Sequence, residues 1–84
     1  MSKIYLEVAV PGNAKTYEFM ADSTMTVGRV RRKFIEQITL VENREIFENN
    51  DEVLFCSTNL EGLLQDQEVL GEVGVKSGDH IILL

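Results

Sequence analysis

The chain has no tryptophan, one proline, one histidine and one cysteine, and nowhere do two glycines stand side by side. A single thiol, Cys56, makes no internal disulfide. With a lone histidine it also provides no soft-ligand set for a metal cluster, so neither metal nor cofactor is expected. No apolar run approaches the roughly 18 residues that cross a bilayer. The opening Met1-Ser2-Lys3-Ile4-Tyr5-Leu6-Glu7 lacks the continuous apolar stretch of a secretory signal. Positive charge is scarce: eight bases stand against fourteen acids, a net of −6. Nucleic acid and anionic membrane surfaces reward the opposite sign, so neither is expected as the main partner. These absences suggest a cytoplasmic protein with a reduced thiol. The 84 residues, 44% of them hydrophobic, are expected to form one domain spanning 1–84 whose core rests on apolar packing alone.

What is present is patterned. Ile4, Leu6, Val8 and Val10 share one parity along residues 3–10, the period of a half-buried strand. Pro11-Gly12-Asn13 supplies turn chemistry, with proline presetting the first corner and glycine free to take positive φ at the second. Tyr17, Phe19 and Ala21 alternate through a second strand, completing a hairpin. Thr26 is a good N-cap. Val27, Val30, Phe34, Ile35 and Ile38 follow helical spacing over about 26–39, with Arg31 at the edge of the stripe, where its stem would snorkel. Residues 42–52 read as a loop, with a single helical turn within it as the alternative. Val53-Leu54-Phe55-Cys56 has strand character, Leu63-Leu64-Gln65 is a short fourth strand, and His80 to Leu84 is a closing strand. Strands grouped around one amphipathic helix predict an α+β domain with the helix packed across one sheet face. Charge is uneven: residues 1–41 sum to +2 and residues 42–84 to −8.

The hairpin, the helix opening at Thr26-Val27, and Leu64-Gln65-Asp66 followed by Val69-Leu70-Gly71-Glu72-Val73-Gly74-Val75 and a last strand resemble ubiquitin. Val8-Ala9-Val10-Pro11, Lys15-Thr16-Tyr17 and Gly74-Val75-Lys76-Ser77-Gly78-Asp79-His80-Ile81-Ile82-Leu83 more closely resemble the small bacterial YukD-like (EsaB-like) ubiquitin-fold family. That resemblance implies a ubiquitin-like β-grasp with a mixed four- to five-stranded sheet and parallel first and last strands. It also implies a cytosolic accessory of the type VII (ESX-like) secretion machinery of Gram-positive bacteria, not conjugated to other proteins. The region 42–61 is longer than in ubiquitin.

Conjugation and sulfur-carrier chemistry need a slender diglycine arm. The sequence reaches Ile82-Leu83-Leu84 inside an expected strand, so a covalent role is not expected. Asp22-Ser23 faintly resembles the phosphopantetheine site of acyl carriers. Those proteins are all-helical, whereas residues 3–21 alternate as strands, and Asp, Ser and Thr are ordinary helix-start residues. Cys56 and His80 form a nucleophile and base only if brought together, and a cysteine in an apolar strand is usually inert packing. Glu48, Asp51 and Glu52 lack calcium-loop spacing, and no phosphate-binding Gly-Lys loop exists. No enzyme activity is expected.

A binding surface remains. With Ile81 and Leu83 facing the helix, His80, Ile82 and Leu84 face outward. Tyr5, Glu7 and Ala9 do the same on the first strand. Placing Leu54 and Cys56 inward puts Phe55 outward, so Tyr5, Phe55, Ile82 and Leu84 are the expected docking residues for a protein partner, a component of the secretion machinery by the resemblance. Closure of this face in a homodimer is the alternative. Arg29, Arg32 and Lys33 form a rival basic helix face, with Glu36 within ion-pair reach of the last two.

Overall fold

The computed structural model describes residues 2–84. Strands β1 (Lys3–Val10) and β2 (Lys15–Asp22) form the hairpin, and helix α1 (Val27–Glu42) follows. Three short strands complete the sheet: β3 (Phe55–Ser57), β4 (Gly62–Leu64) and β5 (His80–Leu83). The sheet order is β2-β1-β5-β3-β4. The first and last strands lie side by side and parallel at its centre, as expected, while every other pairing is antiparallel.

The turn after β1 differs from expectation. Pro11–Asn13 is a short 3-10 turn in which Gly12 keeps an ordinary backbone, and Ala14 takes the left-handed conformation at φ 57°. Proline still sets the first corner. The chain reverses one residue later than a Pro-Gly turn would place it, leaving strict alternation intact on both strands.

The helix starts where its cap predicted: the Thr26 hydroxyl accepts from the Arg29 N–H. Further orphan amides of the first turn are met by the β4–β5 connection, with Val27 N–H donating to Glu68 O (2.8 Å) and Gly28 N–H to Asp66 O (3.0 Å). Gly28 is required by this approach, since a Cβ there would stand 3.0 Å from Asp66 Cβ. The helix runs three residues past the expected end. Asn43, in the left-handed conformation, terminates it, and Glu42 is anchored to the hairpin.

That anchor is a clasp of four side chains. Glu42 Oε1 accepts from Lys15 Nζ (2.7 Å) and Oε2 from the Tyr17 hydroxyl (2.6 Å), which itself accepts from Asn13 Nδ2 (2.8 Å). The hydrogen bond from Lys15, then that from Tyr17, holds the Glu42 pKa below its ordinary 4.5. The same carboxylate raises Lys15, and burial followed by the Glu42 bond raises Tyr17. A depressed carboxylate stabilises the fold above its ordinary pKa and loses that contribution as pH falls through the folded value. The raised groups lose theirs as pH climbs through their folded values. Below pH about 4.5, the wild-type melting temperature is therefore expected to fall more steeply than that of Glu42→Gln. Parallel pH profiles in thermal melts would remove the clasp from the acid response.

One hydrophobic core lies between sheet and helix. Leu6, Val8, Val10, Ile81 and Leu83 from the central strands meet Val30, Phe34 and Ile38 of α1, all nearly or fully buried. Each such side chain contributes about 1.5–3 kcal/mol relative to exposure. Phe19, Phe34 and Phe55 form a relay through it, with ring centroids 4.8 Å and 6.4 Å apart. Arg31 does not snorkel. It is 6% exposed, and its guanidinium pairs with Asp66, because the β4–β5 connection folds over the helix start and brings a carboxylate there. No helix among the described residues is long and apolar enough to cross a membrane.

Candidate functional site

Among the described residues nothing covers the sheet face away from α1, where Tyr5, Met20, Leu54, Leu63 and Leu84 are exposed, and strand register decides what it presents. Thr16 lies opposite Ala9, Ala9 opposite Ile82, Ile82 opposite Cys56, and Cys56 opposite Leu63. These five residues make one row across all five strands, about 19 Å long at ordinary strand spacing. From Ala9 to Leu63 the row is apolar. Leu54 and Leu84 adjoin it, tied by the Leu84 N–H donating to Leu54 O (3.1 Å). Leu54, Leu63 and Leu84 are exposed at 46%, 46% and 58%, while Ala9, Cys56 and Ile82 are half-buried by their neighbours. The next row is polar: Glu18, Glu7 and His80 in register, with His80 Nδ1 3.3 Å from Glu7 Oε2.

This arrangement corrects the expected ladder in two places. Phe55 faces inward at 1% exposure, with its ring against Phe34. Its partners across the sheet are Leu83 and Leu64, both on the helix side, and Leu54 and Cys56 therefore turn outward. The run Val53-Leu54-Phe55-Cys56 is apolar at every position, so alternation carried no sign, and pairing with β5 supplied it. Tyr5 is exposed as expected, at 57%, but the Glu18–Glu7–His80 row separates it from Ile82. Its neighbour is instead Met20 across the hairpin. Ile82 and Leu84 stand where expected. Leu54, Leu63 and Cys56 belong with them. Sequence reasoning missed all three, although the period-two rule would have placed Leu63 and Leu64 on opposite faces.

Cys56 and His80 both occupy the open face, but the His80 imidazole is engaged by Glu7 rather than by the thiol. Asp79 is a turn residue, its Oδ2 accepting from the Lys76 N–H (2.9 Å). Gly78, at φ +92°, lets the chain turn so that its N–H donates to Tyr5 O (2.7 Å) and β5 enters beside β1. Arg29, Arg32 and Lys33 are exposed on the solvent side of α1 and make no ion pair among the described residues, with Glu36 or otherwise. The buried Arg31 Nε finds no acceptor among the described residues. The cleft it borders, about 290 Å³, also carries Asp51, Glu52 and Asp66, so its net sign opposes an anion.

No family model matches this sequence, and no curated protein does. Solved structures do. A ubiquitin-like domain of an Arabidopsis thaliana protein superposes with a TM-score of 0.71 at 24% identity, covering 100% of this chain and 78% of that one. Caldiarchaeum subterraneum ubiquitin gives 0.71 at 22% identity, covering 98% and 91%. A de novo design based on ubiquitin gives 0.75 at 12% identity, covering 99% and 88%. The fold is a ubiquitin-like β-grasp. At these identities the likeness extends to the fold alone, and function must be argued from the surface of this chain.

Proposed function

We propose that the chain is a non-covalent protein-binding module that docks a partner through the open sheet face, without catalysis. The observation carrying this reading is the continuous apolar row Ala9–Ile82–Cys56–Leu63 with Leu54 and Leu84 beside it, bordered by the Glu18–Glu7–His80 row. A contiguous apolar patch with a polar rim is the usual mark of an interaction surface. Here it lies on rigid sheet rather than on a loop, so little ordering entropy opposes binding. The partner we favour is a component of a type VII secretion system. Support for that choice is the resemblance of Val8-Ala9-Val10-Pro11 and the Gly74–Leu83 segment to the YukD-like family. The second reading is a ubiquitin-like regulatory module outside secretion, which the same apolar row would serve equally.

The test uses the double variant Ile82→Ser with Leu63→Ser. Both side chains lie off the helix-side core, so the fold is expected to survive. Binding to the cytosolic domains of an FtsK-like secretion ATPase, measured by titration calorimetry, is expected to weaken tenfold or more. Wild-type binding that the folded double variant leaves unchanged rejects the face. Absence of wild-type binding rejects that partner. A concentration-dependent dimer in sedimentation, abolished by the same variant, assigns the face to a second copy instead.

A further inference from the structure

The helix side of the molecule carries a second surface. The buried stripe of α1 is Val27, Val30, Arg31, Phe34, Ile35 and Ile38. A neighbouring stripe at the same helical spacing, Arg32, Ile35, Glu36, Thr39 and Leu40, forms one wall of a groove of about 420 Å³. The other wall is the chain that follows the helix, at Glu45, Asn50 and Asp51. Local features hold that wall in place. Asn43, in the left-handed conformation, turns the chain off the helix, and Ile46 and Phe47 then pack against the core. After them the Asn49 side chain accepts from the Asp51 N–H (3.0 Å) and Asn49 O from the Glu52 N–H (3.1 Å), which fixes the turn that carries Asp51. The groove is therefore formed before any partner arrives.

Ile35, 3% exposed, lies at the floor of the groove. Leu40 borders it at 74% exposure, more than Leu54, Leu63 or Leu84 on the sheet face. The Thr39 hydroxyl donates to Ile35 O (2.9 Å), so its polar atom is satisfied within the helix. Three carboxylates, on Glu36, Glu45 and Asp51, and one guanidinium, on Arg32, complete the charged lining. None of the four is ion-paired among the described residues. The charges are ordered along the groove. Arg32 stands at the N-terminal end of the stripe, with Arg29 one turn further back. The loop end is acidic, since residues 42–52 carry five acids and a single base, Arg44. The last turn of α1 holds no basic residue to offset the negative end of the helix dipole, which adds to the same sign.

We infer that this groove binds a basic segment of a partner protein, in which a side chain the size of leucine is flanked by lysine or arginine. The apolar side chain enters against Ile35 and Leu40, and the cations meet Glu45 and Asp51 at the loop end. Carboxylates that stand alone in the free protein gain partners, and Leu40 is withdrawn from water. Arg32 sets the polarity, since it repels a base at the other end. A nucleic acid or an anionic membrane would meet the carboxylates and be repelled, so neither fits. The apolar row of the open face lies on the other side of the sheet. The two surfaces can be occupied at once, and each is tested without the other.

Backbone-amide NMR of the isotope-labelled full chain tests this with a capped synthetic peptide, one leucine between two pairs of lysines. The amides of Glu36, Thr39, Leu40, Glu45 and Asp51 are expected to shift, while those of Cys56, Leu63 and Ile82 stay in place. Leu40→Ser is expected to weaken binding about tenfold, from the lost burial of one leucine. Glu45→Gln with Asp51→Asn is expected to weaken it by about the same factor. Serine in place of the peptide's leucine, or glutamine in place of its lysines, is expected to do likewise. No shift at millimolar peptide overturns the inference. So do shifts confined to the Ile82 row. Shifts spread evenly over Glu48, Glu61 and Glu72, or an affinity indifferent to the leucine, also overturn it, because the attraction would then be that of any basic peptide for an acidic protein. A loss in Arg32→Gln as large as in the carboxylate variant overturns it as well, since the groove would then select acid. Arg32, Leu40, Glu45 and Asp51 are all exposed, and core resonances in their wild-type positions will confirm that each variant is folded.

Discussion

Phe55→Ala is expected to destabilise the protein by about 3–5 kcal/mol, the range for emptying an aromatic site in a packed core. A fold built from 84 residues has a total stability of about 4–13 kcal/mol. One substitution in a three-residue strand is therefore expected to take most of it, or to leave the chain unfolded. The reason is position. Phe55 is 1% exposed, pairs with Leu83 and Leu64 on its two sides, and ends the ring relay that begins at Phe19. Its neighbour Leu54 has the same apolar character and is 46% exposed, so Leu54→Ala is expected to cost less than about 1 kcal/mol. Urea denaturation of the two variants compares them directly. If Leu54→Ala proves the more damaging, β3 is inserted with its faces reversed, and the docking face proposed for the protein is lost with it.

The second large effect concerns Arg31. Its side chain is 7% exposed while that of its partner Asp66 is 55% exposed. The two halves of the pair therefore do not have equal consequences. Asp66→Ala leaves a guanidinium buried without its carboxylate, beside an Nε that already lacks an acceptor among the described residues. Breaking a fully buried pair costs about 3–5 kcal/mol. Solvent around the Asp66 side screens part of that, so about 2 kcal/mol is expected. Arg31→Met removes the buried charge itself and leaves only a half-exposed carboxylate, which water can solvate. That variant is expected to be near neutral or more stable than wild type. Denaturation midpoints of the two single variants decide it. Equal losses would mean that the ion pair, rather than burial of the arginine, carries the energy.

The particular residues show what could be read in advance. β1 and β2 alternate apolar and polar positions, so one-sided burial followed from period two. The helical stripe and the Thr26 cap placed the start of α1 to the residue. The helix end was hidden because Glu42 is held by Lys15 and Tyr17, partners far away in sequence whose approach no local signal announces. Arg31 was misplaced for the same reason, since Asp66 reaches it only after the β4–β5 connection has folded over the helix. The expected docking set failed at Phe55, where four consecutive apolar residues have no inherent facing. It failed at Tyr5 in another way: its outward direction was right, but distance along the sheet depends on strand stagger, which alternation does not encode. Ile82 and Leu84 face outward as expected because β5 is flanked by a turn and retains its parity. A cleft of about 190 Å³ between β2 and α1 was beyond reach, because it is formed by two elements whose separation is set only in three dimensions.

The parallel pairing of β1 with β5 has a consequence for biosynthesis. The first strand to leave the ribosome must wait for residues 80–83 before the middle of the sheet can be filled. Until then the hairpin and α1 stand with the inner side of β1 bare, and contacts between distant parts of a chain are slow to form. A nascent chain stalled before His80 should therefore be digested readily by protease, and one carried a few dozen residues further, clear of the exit tunnel, should resist, with little between the two.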